Sequence, residues 1–158
     1  MSFFFDYKLE DGSSHLENKE NEKTFLDGWN QIDWNTFYEF SENLTFFENE
    51  QVIKKGEKNR SLMIIVEGTL NVVLKPKGKK QITIASLSDG EIVGDQSFVD
   101  AFPRSLDVYA GKETKVIQIS WENFKKFSIK EPTRAQYFLT ELAKVLSCRL
   151  RTVTSFLI

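Results

Sequence analysis

Between Leu44 and Ile119 the chain breaks into short runs that read as β strands, and this rhythm limits its possible folds more than any other feature. The runs are LTFF (Leu44–Phe47), QVIKK (Gln51–Lys55), SLMIIV (Ser61–Val66), TLNVVL (Thr69–Leu74), QITIASL (Gln81–Leu87), EIV (Glu91–Val93), SLDVYA (Ser105–Ala110) and TKVIQI (Thr114–Ile119). Gly56, Gly68, Gly78 with Pro76, Gly90 and Gly111 punctuate them. Turn signals recurring every 8–12 residues or so are the mark of a β sandwich or barrel. In QITIASL the residues Ile82, Ile84 and Leu87 nearly alternate with polar ones, as a half-buried strand requires. SLMIIV is apolar on both faces and is expected in the middle of the structure.

Helical periodicity flanks this region. Asp33 is placed to cap a helix over Trp34–Glu42, with Trp34, Phe37 and either Phe40 or Tyr38 on its buried face. Ser120 or Trp121 opens a short helix, SWENFKKF, and Pro132 suits the first turn of a long one. Leu139, Leu142, Leu146, Leu150, Val153 and Leu157 then form one apolar stripe along about 38 Å of helix. One small barrel covers such a stripe poorly, so part of it is expected to meet a second copy of itself. Residues 1–28 read as a partly ordered extension: from Asp6 to Asp27 there are seven acids against three bases. Within it Ser14 and Glu17 fit a capping box, and the group Phe3-Phe4-Phe5-Tyr7 offers a docking surface.

Composition removes several function classes. With 158 residues the chain is expected to be one domain with a real core, and a net charge of −2 gives no field for gathering nucleic acid. The longest apolar run, Leu62–Val66, is too short to span a bilayer, and MSFFFDYK lacks the form of a signal peptide. A single cysteine, Cys148, cannot form an internal disulfide, which points to a reducing cytoplasm. The single histidine, His15, has neither cysteine nor a second histidine near it. Zinc sites and metal-dependent barrel enzymes need several such ligands, so neither a metal nor catalysis is expected. A G-x-S-x-G nucleophile elbow is also missing.

The stretch VGDQSFVDAFPRSLDVYA (Val93–Ala110) sets Gly94 and Asp95 at one end of a tight loop and Pro103, Arg104 and Ser105 at the other. Such a loop suits a compact anion. Backbone N–H groups at the start of a turn over Gln96–Val99 point outward, and a helix start carries partial positive charge. Arg104 supplies a planar fork for phosphate oxygens, and Pro103 stiffens its approach. Gly94 lets the backbone come close to a ligand, and Ser97 is small and able to donate a hydrogen bond.

These residues resemble the phosphate-binding cassette of the cyclic nucleotide-binding domain family. Its pattern is apolar-Gly-Glu-x-small-apolar, a loop, then Arg, a small polar residue and a strand. Val93, Gly94, Ser97, Phe98, Arg104, Ser105 and Val108 match; Asp95 stands where Glu is usual and Leu106 where Ala is usual. A second stretch, VIKKGEKNRSLMIIVEG (Val52–Gly68), resembles the family's strand, Gly-acid turn, apolar strand and second glycine. It departs at Asn59, where a small residue is usual. A competing register takes Gly90-Glu91 as the Gly-Glu pair, lengthening the loop and placing Val93 where a small residue is required.

The resemblance implies a mainly β fold with flanking helices: an eight-stranded β jelly roll over about 44–120, then C-terminal helices over 121–158. It implies a cytoplasmic sensor that binds cAMP or cGMP and performs no chemistry, with the helices re-docking over the pocket when ligand draws in the cassette. The implied ligand-binding residues are Gly94, Asp95, Gln96, Ser97, Phe98, Arg104 and Ser105. Ser105 resembles the position that touches the purine in some members, and Ile84 on the facing strand is the apolar floor for the base. Asp95 would accept from the ribose 2′-hydroxyl, though it is one methylene, about 1.5 Å, shorter than Glu. Losing that bond costs about 1.5–3 kcal/mol, roughly 10- to 150-fold in affinity. The implied output is a homodimer or a partner protein held by the long helix. After that helix, Ile158 leaves no room for a helix-turn-helix, so a DNA-binding role is not expected. The alternative is a scaffold for protein–protein contact or dimerisation with no nucleotide bound, supported by Asp95, Leu106 and Asn59.

Overall fold

A computed structural model describes residues 24–157. The elements run α1 (Gln31–Tyr38), β1 (Glu42–Phe46), β2 (Gln51–Ile53), β3 (Ser61–Glu67), β4 (Leu70–Leu74), β5 (Ile82–Leu87), β6 (Ile92–Val93), α2 (Asp95–Asp100), β7 (Asp107–Ala110), β8 (Thr114–Ser120), α3 (Trp121–Lys130) and α4 (Pro132–Ser155). Two four-stranded antiparallel sheets, ordered β1-β8-β3-β6 and β2-β7-β4-β5, make the expected jelly roll. Each of the eight apolar runs overlaps one strand.

β3 shows why SLMIIV is apolar throughout. Met63 and Ile65 face the second sheet, where they pack with Ile53, Leu70, Val72, Leu87 and Val108. Leu62 and Ile64 face the other way, into a cluster built with Phe37, Phe98, Phe124, Phe127, Phe138 and Leu142 from the helices. β8 divides in the same manner, Val116 toward the sheets and Ile117 and Ile119 toward the helices. The helix-side cluster is strongly aromatic. Phe138 is its hub, fully buried, with ring centroids 4.9 Å from Phe124, 5.3 Å from Phe25 and 5.8 Å from Phe37.

The flanking elements differ from expectation in three ways. The cap of α1 is Asn30 and not Asp33; Asp33 is the third helical residue and closes a capping box, each side chain accepting from the other's backbone N–H. Asp33 is thereby free to receive Arg134 from α4, Nε to Oδ1 at 2.7 Å. α1 stops at Tyr38, so Phe40 packs on the core from the following turn, while Tyr38 is exposed. Phe25 and Leu26, read as part of the extension, are fully buried in the helix-side core. The capping box at Ser14 and the aromatic group at Phe3–Tyr7 lie outside the described residues.

The third difference concerns α4. Its buried line is Ala135, Phe138, Leu142, Val145 and Arg149, spaced by three and four, with Glu141 also buried. Of the leucine stripe, part of which is expected to meet a second copy, Leu142 is buried in this line, while Leu139, Leu150, Val153 and Leu157 beside it are exposed. A small residue, an aromatic and an arginine share this inward face with Leu142 and Val145, and the leucine stripe meets it at Leu142.

Two outcomes follow from this packing. Phe138→Ala removes the aromatic hub and lowers unfolding free energy by about 3–5 kcal/mol in urea denaturation. The Asn30 backbone N–H, and after it the Arg134 guanidinium, hold the Asp33 carboxyl below its usual range. A depressed carboxylate stabilises above its unfolded pKa, and that contribution fades as pH falls toward the folded value. Asp33→Asn therefore lowers the melting temperature at pH 7, and calorimetry finds the gap to the native sequence closing below about pH 3.9.

Candidate functional site

The segment between β6 and β7 curls into a cradle for identifiable reasons. Gly94 caps α2 with φ of 83°. A Cβ there would lie 2.6 Å from the Ser61 carbonyl oxygen and 2.8 Å from Arg104 Nη1, so conformation and space both demand glycine. The first bond into α2 runs from Phe98 N–H to the Gly94 carbonyl, which leaves the Gln96 and Ser97 amides in the open first turn. α2 ends at Ala101 in the left-handed region, φ 63°. The chain then returns along the β2–β3 turn, the Arg104 N–H donating to Glu57 O at 2.9 Å and Gly56 N–H to Arg104 O at 2.8 Å. Ser105 Oγ, 3.2 Å from Gln96 Oε1, joins the two ends of the loop.

Three buried charges define the electrostatics. Arg104 is 4% exposed; its Nη1 donates to Gly94 O at 2.9 Å, and its Nη2 to Ser61 O at 2.6 Å and to Asn59 Oδ1 at 3.3 Å. Burial pulls its pKa down while Asp95 and Glu57 push it back up, and the group stays charged. Asp95 is 6% exposed, with Oδ1 2.6 Å from Arg149 Nη1 of α4. Arg149 Nη2 also donates to Ile92 O at 2.7 Å. The second Asp95 oxygen, Oδ2, accepts no hydrogen bond among the described residues.

A cavity of about 330 Å³ opens at this cradle. Gly94, Asp95, Gln96, Ser97, Arg104, Ser105 and Ile84 all line it, so the structure gathers these sequence-derived candidates at one place. Phe98 is the exception. It is fully buried on the far side of α2, its ring 5.2 Å from Trp121 and 5.4 Å from Phe124, and it does not reach the cavity. Gly90 lies in the turn before β6, bonded through its N–H to Ile65 O, so Gly94-Asp95 and not Gly90-Glu91 opens the helix.

Sequence reasoning missed the other half of the lining. Ile53, Val72, Leu106 and Val108 form an apolar wall, and Leu146, Arg149, Leu150 and Val153 of α4 complete the lining. The signal was there: those four positions share one helical face, but Arg149 interrupts the apolar pattern. Arg60 is a further omission. Its Nε and Nη2 donate to Phe98 O at 3.2 and 2.8 Å, and its Cζ sits 4.1 Å above the Trp121 ring, tying the end of α2 to the start of α3.

The Cyclic nucleotide-binding domain model matches residues 44–131, more than half of the chain. The chain belongs to the cyclic nucleotide-binding domain family. The "cAMP-activated global transcriptional regulator CRP" of Pasteurella multocida is 25% identical over 105 residues, covering 66% of this chain and 50% of the relative. The chain thus spans about half the length of the curated relatives it matches. Among solved structures, a cyclic nucleotide-binding domain from Methylobacillus flagellatus superposes with a TM-score of 0.74 at 24% identity, covering 82% of this chain and 72% of that one. The Thermus thermophilus Catabolite Activator Protein also gives 0.74, at 20% identity, over 84% and 61%. At these identities the two structures establish the shared fold.

Within this family fold, the Asp95–Arg149 pair joins the cassette to α4, and it is nearly dry. Removing one partner strands a buried charge. Arg149→Met lowers unfolding free energy by about 3–5 kcal/mol, and the Asp95→Asn/Arg149→Met double variant loses less than the two single losses together. Urea titrations of the three variants measure this directly.

Proposed function

We propose that this chain is a sensor or regulatory module that binds a cyclic nucleotide, cAMP or cGMP, and performs no chemistry on it. One observation carries the reading: the family's cassette encloses a cavity lined by two guanidinium groups and one carboxylate, a balance of one positive charge against an apolar wall. A cyclic phosphodiester bears one negative charge, and its purine supplies an apolar face. In this reading Arg104 and the Gln96 and Ser97 amides meet the phosphate, while Ser105 and Ile84 flank the base. Asp95 keeps Arg149 on Oδ1; its Oδ2, buried and without a hydrogen bond, meets the ribose 2′-hydroxyl once the carboxylate turns toward the cavity. The short aspartate then serves two partners from a position where Glu is usual.

Output passes through α4. Leu150 and Val153 line the cavity as well as being exposed, so they belong to the site. That leaves Leu139, Phe156 and Leu157 as the apolar surface for a second copy or a partner protein. The reading places the protein in the cytoplasm and gives it neither nucleic acid nor membrane as a partner. Among the described residues, no helix is long and apolar enough to cross a membrane. A second reading, a scaffold with no nucleotide, is favoured by one specific feature: Arg104 and Asp95 both have protein partners already.

Calorimetric titration of cAMP, then cGMP, into protein stripped of co-purified ligand separates the two. Saturable binding at micromolar concentrations is expected. Arg104→Ala, with its fold checked by circular dichroism, weakens it by at least about tenfold, the equivalent of one charge-assisted pair. No heat from either nucleotide at millimolar concentration leaves the scaffold reading.

A further inference from the structure

The guanidinium of Arg104 is already partly spent, and one of its partners is a removable side chain. A guanidinium grips an oxyanion with two parallel N–H groups, either Nε with Nη2 or Nη1 with Nη2. Nη2 belongs to both forks. In this chain its two protons go to Ser61 O at 2.6 Å and to Asn59 Oδ1 at 3.3 Å. The Ser61 bond is short, buried and made to backbone, so it is fixed. The Asn59 bond is long and comes from an exposed side chain that also accepts from Ser61 N–H at 2.8 Å.

We propose that Asn59 is an affinity-setting residue of the pocket: its side-chain oxygen holds the Nη2 proton that a bidentate phosphate contact needs. With Asn59 in place, Arg104 offers an entering phosphate isolated N–H groups. When Asn59 swings away, a fork is restored. The departure from the small residue usual at this position thus raises the ligand concentration needed to fill the site. This inference rests on the cyclic-nucleotide reading and adds a residue that does not line the cavity.

The test uses two substitutions with opposite expected signs. Asn59→Ser keeps an oxygen near enough to accept from Ser61 N–H but too short to reach Arg104. Asn59→Asp keeps both acceptors and turns the contact with Arg104 into an ion pair. Titrated with cAMP and cGMP at constant ionic strength, N59S binds about five- to tenfold tighter than the native sequence, and N59D at least about tenfold weaker. A purely structural role for Asn59 in the turn predicts equal or weaker binding in both variants, so N59S is the deciding arm. If the native protein binds and N59S binds no tighter, Asn59 is overturned and the nucleotide reading stands. If none of the three binds either nucleotide at millimolar concentration, the nucleotide reading is overturned and the role of Asn59 falls with it.

Discussion

A strand that is apolar on both faces has to be covered twice, and this requirement of β3 organises the chain. Met63 and Ile65 are satisfied by the second sheet, as in any sandwich. Leu62 and Ile64 need a further layer, which α1, α2, α3 and α4 supply through a group of phenylalanine rings. The helices are therefore part of the core. Fully burying one such side chain stabilises by about 1.5–3 kcal/mol, so the helix layer cannot be shed cheaply. α2 is pinned to this layer by Phe98, fully buried on one side of a helix whose other side lines the cavity. A six-residue helix has little stability of its own, and Phe98 explains why it persists here.

The parts of this arrangement that the sequence made legible are those with a local cause. Strands show as alternation and glycine as turns, so the eight runs and the cradle at Gly94 were readable from neighbours alone. What escaped depends on contacts distant in sequence. The cap of α1 looked like Asp33 because an acid preceded an aromatic run, but Asn30 accepts the bond and Asp33 turns to Arg134, which lies on α4. The buried line of α4 was not legible because its positions include alanine and arginine, and the leucine stripe meets it at Leu142. Arg149 had no signal of its own: a buried arginine is identified by its partners, and Asp95 is 54 positions away, on an element it meets only in the folded chain. Phe98 fitted the cassette pattern, yet that position serves packing rather than the cavity.

The site shows how a small domain tolerates several buried charges. Arg104, Asp95 and Arg149 are each about nine-tenths buried or more, an arrangement that would be prohibitive without partners. Backbone carbonyls carry much of the load: Gly94, Ser61 and Ile92 each accept from a guanidinium. Carbonyl oxygens at a glycine cap and at strand ends suit this task, because the irregular backbone there leaves acceptors outside the sheet ladder. The cradle thus holds its own arginines in place before any ligand enters. Such preorganisation reduces the ordering cost of binding but leaves fewer N–H groups to offer.

α2 is gripped at both ends, by contacts of different kinds. At its start Asp95 is tied to Arg149 of α4; at its end the Phe98 carbonyl accepts from Arg60, whose guanidinium rests on Trp121 of α3. The first grip is electrostatic and adjoins the cavity, so it responds to whatever approaches the Asp95 carboxylate. The second is a helix C-terminal contact stacked on an aromatic ring, and it lies outside the cavity lining. The link of α2 that borders the cavity is thus also its link to α4, so the charge on one carboxylate bears on both.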